Sequence, residues 1–215
     1  MPLKVNEIFY SIQGESSYAG RPCVFVRLTG CNLRCSYCDT QYAYDEGRLI
    51  EIDDIYQTIN GYSCPLVEIT GGEPLMQQQT PDIVHHLIET GHKVLVETNG
   101  SLDINKVDER CVRIMDIKCP SSGEQRHNDL GNIDRLTSTD EVKFVIGDQE
   151  DYDFAKSILQ SYPQLLERNI VVHFSPVFGK IEPQVLAKWI MQDCLDVRLQ
   201  IQLHKIIWDP DLRGV

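Results

Sequence analysis

Short β-branched runs alternate with amphipathic segments along this chain, and that alternation constrains the fold more than any other feature. The clearest runs are Cys23–Leu28, Leu66–Thr70, Lys93–Thr98, Val112–Ile117, Val142–Ile146, Ile170–Phe174 and Val197–Ile201. Stretches such as Val94-Leu95-Val96 and Ile170-Val171-Val172 lack the polar alternation of a half-wet sheet, so both faces are expected to be covered. Between the runs, the spacing predicts helices over Ile52–Asn60, Tyr152–Ser161 and Pro183–Gln192, and another starting near Thr80. There Thr80 is placed to cap, Pro81 suits the first helical position, and Ile83, Val84, Leu87 and Ile88 form one apolar stripe before Gly91. Pro120–Thr139 reads mainly as loop. This is the pattern of an α/β domain with mostly parallel strands. No linker, repeat or low-complexity run divides the 215 residues, so one domain is expected.

The unusual polar residues sit just after these runs. Cys23–Leu28 leads to Thr29-Gly30-Cys31, and Leu66–Ile69 leads to Thr70-Gly71-Gly72-Glu73-Pro74. Val94–Val96 leads to Glu97-Thr98-Asn99-Gly100, Val112–Met115 to Asp116-Ile117-Lys118, and Ile170–Val172 to His173-Phe174-Ser175-Pro176. Alone, each is ordinary strand punctuation. If the strands are parallel, all of them gather at one end of the sheet, where active sites of parallel barrels lie.

Eight cysteines in 215 residues fall short of a disulfide scaffold, and a chain this long buries enough core without covalent staples. The N-terminus lacks the apolar core of a signal peptide, and no apolar run is long enough to cross a bilayer. A cytosolic location with reduced thiols is therefore expected. The net charge of −12 argues against a nucleic-acid surface. Three cysteines form C-x3-C-x2-C at Cys31, Cys35 and Cys38, close enough to converge on one soft metal centre. A structural zinc site takes four ligands, and Cys64 or Cys119 would have to return to complete it. A 4Fe–4S cluster on three cysteines instead leaves one iron open for chemistry. Tyr37 is placed to pack over such a cluster. The other five cysteines are expected to be small buried hydrophobes.

The spacing, with Tyr37 before the last cysteine, resembles the signature of the radical S-adenosylmethionine (radical SAM) enzymes. Within that superfamily, Ser11-Ile12-Gln13-Gly14-Glu15, Cys38-Asp39-Thr40, Thr70-Gly71-Gly72-Glu73-Pro74 and Gln202-Leu203-His204-Lys205 together resemble the 7-carboxy-7-deazaguanine synthase family, from about Glu7 to Lys205. The resemblance implies a partial, TIM-like α/β barrel, a 4Fe–4S cluster on Cys31, Cys35 and Cys38, and a homodimer. It implies SAM contacts at Tyr37–Asp39, Gly72 and Glu73. Glu97, Asn99, Asp116, Ile117, Lys118, His173, Phe174, Ser175 and Pro176 are further implied contacts to the ribose, carboxylate or adenine of SAM. Substrate contacts are implied at Ile12, Gln13, Gly14, Glu15, Arg27 and Thr70, a Mg2+ ligand at Thr40, and a closing tail that ends in Val215. The implied reaction contracts 6-carboxy-5,6,7,8-tetrahydropterin to 7-carboxy-7-deazaguanine with loss of ammonia, for queuosine and deazapurine synthesis. SAM is regenerated, and a flavodoxin- or ferredoxin-type donor supplies the electron.

The residues themselves agree with that chemistry. Gln13-Gly14-Glu15 offers an amide, close backbone access and a carboxylate, a set suited to the edge of a pterin-like ring. Arg27 lies on an apolar run with one carboxylate nearby in sequence, so a ligand carboxylate is a fitting partner. Two rivals remain at this level: an activating enzyme that makes a glycyl radical on a partner protein, and a zinc-binding interaction domain.

Overall fold

The computed structural model describes residues 1–215. Its centre is one nine-stranded sheet of order β3-β1-β2-β4-β5-β6-β7-β8-β9. The strands are β1 (Leu3–Ile12), β2 (Pro22–Leu28), β3 (Arg48–Ile50), β4 (Leu66–Gly71), β5 (Lys93–Thr98), β6 (Val112–Asp116), β7 (Glu141–Ile146), β8 (Val171–Pro176) and β9 (Arg198–Leu199). From β2 to β9 every pairing is parallel, while β1 runs antiparallel to both β2 and β3. Helices α1 (Ile52–Gly61), α2 (Thr80–Glu89), α4 (Gln149–Ser161) and α6 (Pro183–Gln192) make the crossovers; α3 (Asn132–Arg135), α5 (Gln164–Glu167) and α7 (His204–Ile207) are single turns. This open parallel sheet with its covering helices has the architecture of a partial TIM barrel.

All but the last of the expected runs become strands with small shifts at their ends, and these bury their apolar residues. A single cluster of 43 buried apolar residues joins them. In α2, Ile83, Val84 and Leu87 are buried, as the stripe requires. Its N-cap is Gln79 rather than Thr80; the Thr80 hydroxyl donates instead to Pro74 O at 2.5 Å and ties the helix to the β4 exit. The 120–139 segment is mostly loop, broken by two 3-10 turns and α3. The last run is shorter than expected, since only Arg198 and Leu199 pair with β8. No helix is long and apolar enough to cross a membrane. Cys23, Cys64, Cys111 and Cys119 are buried as expected, but Cys194 is exposed, because its left-handed backbone (φ 51°) turns the chain out of α6.

Register then aligns polar side chains across the strands. Glu7, Arg27 and Thr70 stand abreast on β1, β2 and β4, and Asp116, Lys143 and His173 on β6, β7 and β8. Partners in register project to the same face, so each trio shares one side of the sheet.

Candidate active site

The carboxyl ends of the parallel strands open into a cavity of about 860 Å³. Cys31, Cys35 and Cys38 line it together with Arg27, Thr70 and Gly72. Glu97, Asn99, Asp116 and Lys118 form its next sector, and the tail from Pro210 to Val215 covers one side. A groove of about 950 Å³ lies outside the barrel between α1 and α2, but no cysteine and none of these strand ends reaches it.

The three cluster cysteines are free, half-buried thiols on the loop after β2. Burial pushes Cys31 up and Cys35 to about 11, while the Lys118 ammonium pulls both back. The Leu33 amide donates to Cys31 Sγ at 3.4 Å. No three His, Cys, Asp or Glu side chains gather round one point as they would for a single ion. A cubane asks for a wider spacing, because each thiolate binds a different iron. Cys64 and Cys119 do not return to the trio; their thiols bond to backbone carbonyls in the core. Tyr37 lies beside the thiols with its hydroxyl donating to Val145 O at 3.4 Å.

The loops keep close backbone approaches. A Cβ on Gly72 would come within 2.0 Å of Gly30 O, and one on Gly14 within 2.1 Å of His204 Nδ1. Glycine at these positions lets the β4 exit touch the cysteine loop, and the β1 exit touch the C-terminal segment. Glu73 is fully buried: it accepts from Leu75 N (2.9 Å), Thr98 Oγ1 (2.8 Å) and Asn99 N (2.6 Å). It therefore clamps the β4 and β5 exits together and does not form cavity wall.

Deeper in the barrel lies a charge cluster. Lys143 contacts Glu97 and reaches Glu15 Oε2 at 2.8 Å, and Gln202 donates to Glu15 Oε1 at 2.9 Å. Burial alone would raise Glu15, but Lys143 overrides it and holds the carboxyl at about 2. Burial also works against the Lys143 charge, and Glu15, Glu97 and Asp116 outweigh it. Glu68 is pushed well above the carboxylate range, first by burial and then by Glu97 and Glu15. Gln13 donates its amide to Glu68 and accepts from Glu15 N at 2.8 Å, so protein partners already hold its side chain.

The Glu15 shift has a measurable consequence. A carboxyl depressed in the folded state stabilises above its unfolded value, here 4.5, and that contribution is lost as pH falls through about 2. In urea denaturation, the parent protein's advantage over Glu15→Gln is therefore full at neutral pH and shrinks steadily below pH 4.5. An advantage that stayed constant down to pH 2.5 would contradict the Glu15–Lys143 assignment.

Not every expected residue reaches the cavity. Ile12 and Ile117 lie off the wall, and Phe174 packs edge-on against Phe144 and Tyr152 in the core. His173 is buried with Nε2 2.7 Å from Glu141, and Ser175 is buried below the rim, whereas Pro176 does line the cavity. Glu68 and Lys143, which no motif flags, also face it, as do His204 and Lys205 of the late Gln202–Lys205 motif, which carried no site assignment. Lys205 pairs with Asp39 at 2.7 Å, and Thr40 donates to the other Asp39 oxygen at 2.9 Å.

Three free thiols and a glycine-rich strand exit at the mouth of a partial parallel barrel define a radical SAM enzyme, and the Radical SAM superfamily model matches residues 25–120. The chain is 47% identical to the 7-carboxy-7-deazaguanine synthase of Chlorobaculum tepidum, over 100% of this chain and 98% of that one. It is 44% identical to the 7-carboxy-7-deazaguanine synthase of Koribacter versatilis, over 99% and 100%. It belongs to the 7-carboxy-7-deazaguanine synthase family. The crystal structure of QueE from Escherichia coli shares the fold, with a TM-score of 0.80 over 95% of both chains at 22% identity.

The residues fit the groups this family implies. The thiols supply three soft donors unspent on disulfides. Asp116 is buried in the wall, yet its Oδ1 has no protein partner, while Lys118 occupies Oδ2 at 2.7 Å. A buried carboxylate oxygen left open in a cavity suits a ligand hydroxyl or ammonium.

Proposed function

We propose that this protein contracts 6-carboxy-5,6,7,8-tetrahydropterin to 7-carboxy-7-deazaguanine, releasing ammonia. The observation that carries this reading is the placement of Arg27 in the same cavity as the three free thiols. Its Nε is held by Glu7 Oε1 at 2.8 Å, and its two terminal nitrogens have no protein acceptor. A guanidinium edge left open in this way matches a carboxylate with two parallel hydrogen bonds.

Cys31, Cys35 and Cys38 hold the cluster in this reading. A cluster held there, with SAM, would supply one-electron reductive chemistry to start the reaction. The chain's own residues position and shield the reactants. Tyr37, Asp39, Gly72, Asn99 and Asp116 line the side of the cavity assigned to SAM, with the open Asp116 Oδ1 as an acceptor. Gly14, Glu15, Arg27 and Thr70 line the pterin side, and Lys143 pairs with Glu97 and keeps Glu15 ionised beside it. Glu73 acts through the exits it clamps rather than by contact.

Thr40 is assigned to Mg2+. A lone hydroxyl is a weak donor for so hard an ion, so Asp39, the substrate carboxylate and water would share the coordination. A homodimer is supported by β9, a two-residue edge strand that exposes Leu199, with Ile201 exposed just beyond its end. A flavodoxin- or ferredoxin-type donor would reach the cysteine loop where Arg34 is exposed.

The substrate assignment is tested by Arg27→Ala. Losing a charge-assisted hydrogen bond costs about 1.5–3 kcal/mol, so binding of the carboxypterin weakens by roughly ten- to a hundredfold. Calorimetry on the reconstituted enzyme with SAM checks this, with the iron content unchanged. Unaltered affinity would remove Arg27 from the substrate site.

A further inference from the structure

Arg27 does not stand alone at the cavity wall. Its guanidinium carbon lies 5.6 Å from the centre of the Phe9 ring and 5.9 Å from that of Tyr42. Phe9 is itself stacked on Phe25 at 4.9 Å, so that boundary is stiff. Glu7 Oε1 accepts from Arg27 Nε and also from the Tyr42 hydroxyl at 3.0 Å.

The same tyrosine meets the tail. The Arg213 guanidinium carbon sits 3.8 Å from the centre of the Tyr42 ring, and Arg213 Nη1 is 3.2 Å from Glu46 Oε2. Beyond it Gly214 and Val215 lie against the cavity, with Glu7 Oε2 the nearest side-chain atom to a Cβ built on Gly214, at 3.8 Å. One ring thus touches two guanidinium groups, one on the wall and one on the tail.

We infer that Glu7 and Tyr42 are positioning residues for Arg27, aiming its open edge at the substrate carboxylate, and that Arg213 couples the C-terminal tail to this arrangement. The inference rests on the reading of Arg27 given above. A free arginine side chain samples many rotamers, and fixing it in advance removes that ordering cost from binding. Glu7 does so through Nε, the nitrogen whose capture leaves the two parallel donors for a ligand. Tyr42 fixes Glu7 in turn, and Arg213 gives the tail a stacked contact at the same place. The selected chemistry is planar: a carboxylate in the guanidinium plane uses both donors, whereas a pterin without that group uses neither. Glu7 has a second effect, since its negative charge offsets part of the Arg27 field. Replacing it with glutamine separates the two roles by keeping an acceptor for Nε while removing the charge.

Calorimetry on the reconstituted enzyme with SAM, comparing the carboxypterin with tetrahydropterin lacking the 6-carboxylate, tests this. Glu7→Ala weakens carboxypterin binding by about tenfold, in line with one charge-assisted hydrogen bond, and leaves the carboxyl-free pterin unchanged. Glu7→Gln binds the carboxypterin at least about threefold more tightly than Glu7→Ala, since the acceptor returns. Arg213→Ala weakens it by about threefold, the scale of an exposed cation–π contact. In turnover the losses appear in KM more than in kcat. Equal losses for both pterins would mark Glu7 as merely structural and overturn the inference. So would a Glu7→Ala protein that binds like the parent while Arg27→Ala does not. Should Arg27→Ala also bind normally, the substrate assignment fails first and the inference falls with it.

Discussion

Replacing Cys35 with alanine will abolish product formation while leaving the fold intact. Cys35 lies on a loop, half-buried, and is absent from the apolar core, so its loss belongs with surface changes worth within about 0.5 kcal/mol. Thermal unfolding of the apoprotein therefore stays near that of the parent. The chemistry has no such tolerance. Enzymatic accelerations typically exceed about 10⁶, and here the radical source supplies the first step, so activity falls by at least about 10⁴. Cys31→Ala and Cys38→Ala behave alike. After anaerobic reconstitution, each variant holds less iron and sulfide than the parent. Full cluster content in Cys35→Ala would move the ligand set elsewhere.

The largest effect on stability is expected far from that loop. Asp140 and Arg113 form a closed ion pair, 0% and 2% exposed. Asp140 Oδ1 accepts from Arg113 N (2.8 Å) and Nε (3.1 Å), and Oδ2 from Nη2 (2.5 Å), Thr137 N (2.8 Å) and Thr137 Oγ1 (3.0 Å). This one carboxylate ties β6 to the loop leading into β7. Asp140→Ala leaves a buried guanidinium without its counter-charge, which costs about 3–5 kcal/mol. For a chain of this length, that corresponds to a Tm lower by on the order of 10 °C. Calorimetric melting of the apoprotein checks it. A shift under about 2 °C would mean that Asn105 and the Arg135 carbonyl, which also bond Arg113, suffice alone.

Much of the framework was legible because its local signals agree. Pro183–Gln192 carries proline at its start and an uninterrupted helical period, and α6 has those bounds. Lys93–Thr98 has an apolar centre and an Asn-Gly stop, and β5 matches it. β1 was not legible. Lys4, Asn6, Glu7 and Ser11 interrupt its apolar pattern, because the strand is antiparallel and half-covered and carries Glu7 beside Arg27. In β9 the pattern spans five residues, but only two pair, as the chain then turns toward Gln202 and α7.

The site divides in the same way. Cysteine spacing and the polar residues after strands located the cavity, since parallel strands must deliver their exits to one end. Glu68 and Lys143 belong to no motif, yet each carries a signal as a lone charge inside an otherwise apolar run, Leu66-Val67-Glu68-Ile69 and Val142-Lys143-Phe144. A charge there finds a partner only inside the barrel. The Glu7–Arg27 contact depends on strand register, which no local pattern encodes. Glu73 carries the opposite lesson: its motif placed it at the right strand exit, but its oxygens are spent on the neighbouring loop.

The central claim is that these thiols and Arg27 serve one reaction. It is tested most directly by incubating the anaerobically reconstituted, reduced protein with SAM and 6-carboxy-5,6,7,8-tetrahydropterin, and following the products by mass spectrometry. The expected products are 7-carboxy-7-deazaguanine and ammonia in equal amounts, over many turnovers per SAM. SAM cleavage without that product would contradict the substrate assignment, and a protein that takes up zinc without sulfide would contradict the radical chemistry itself.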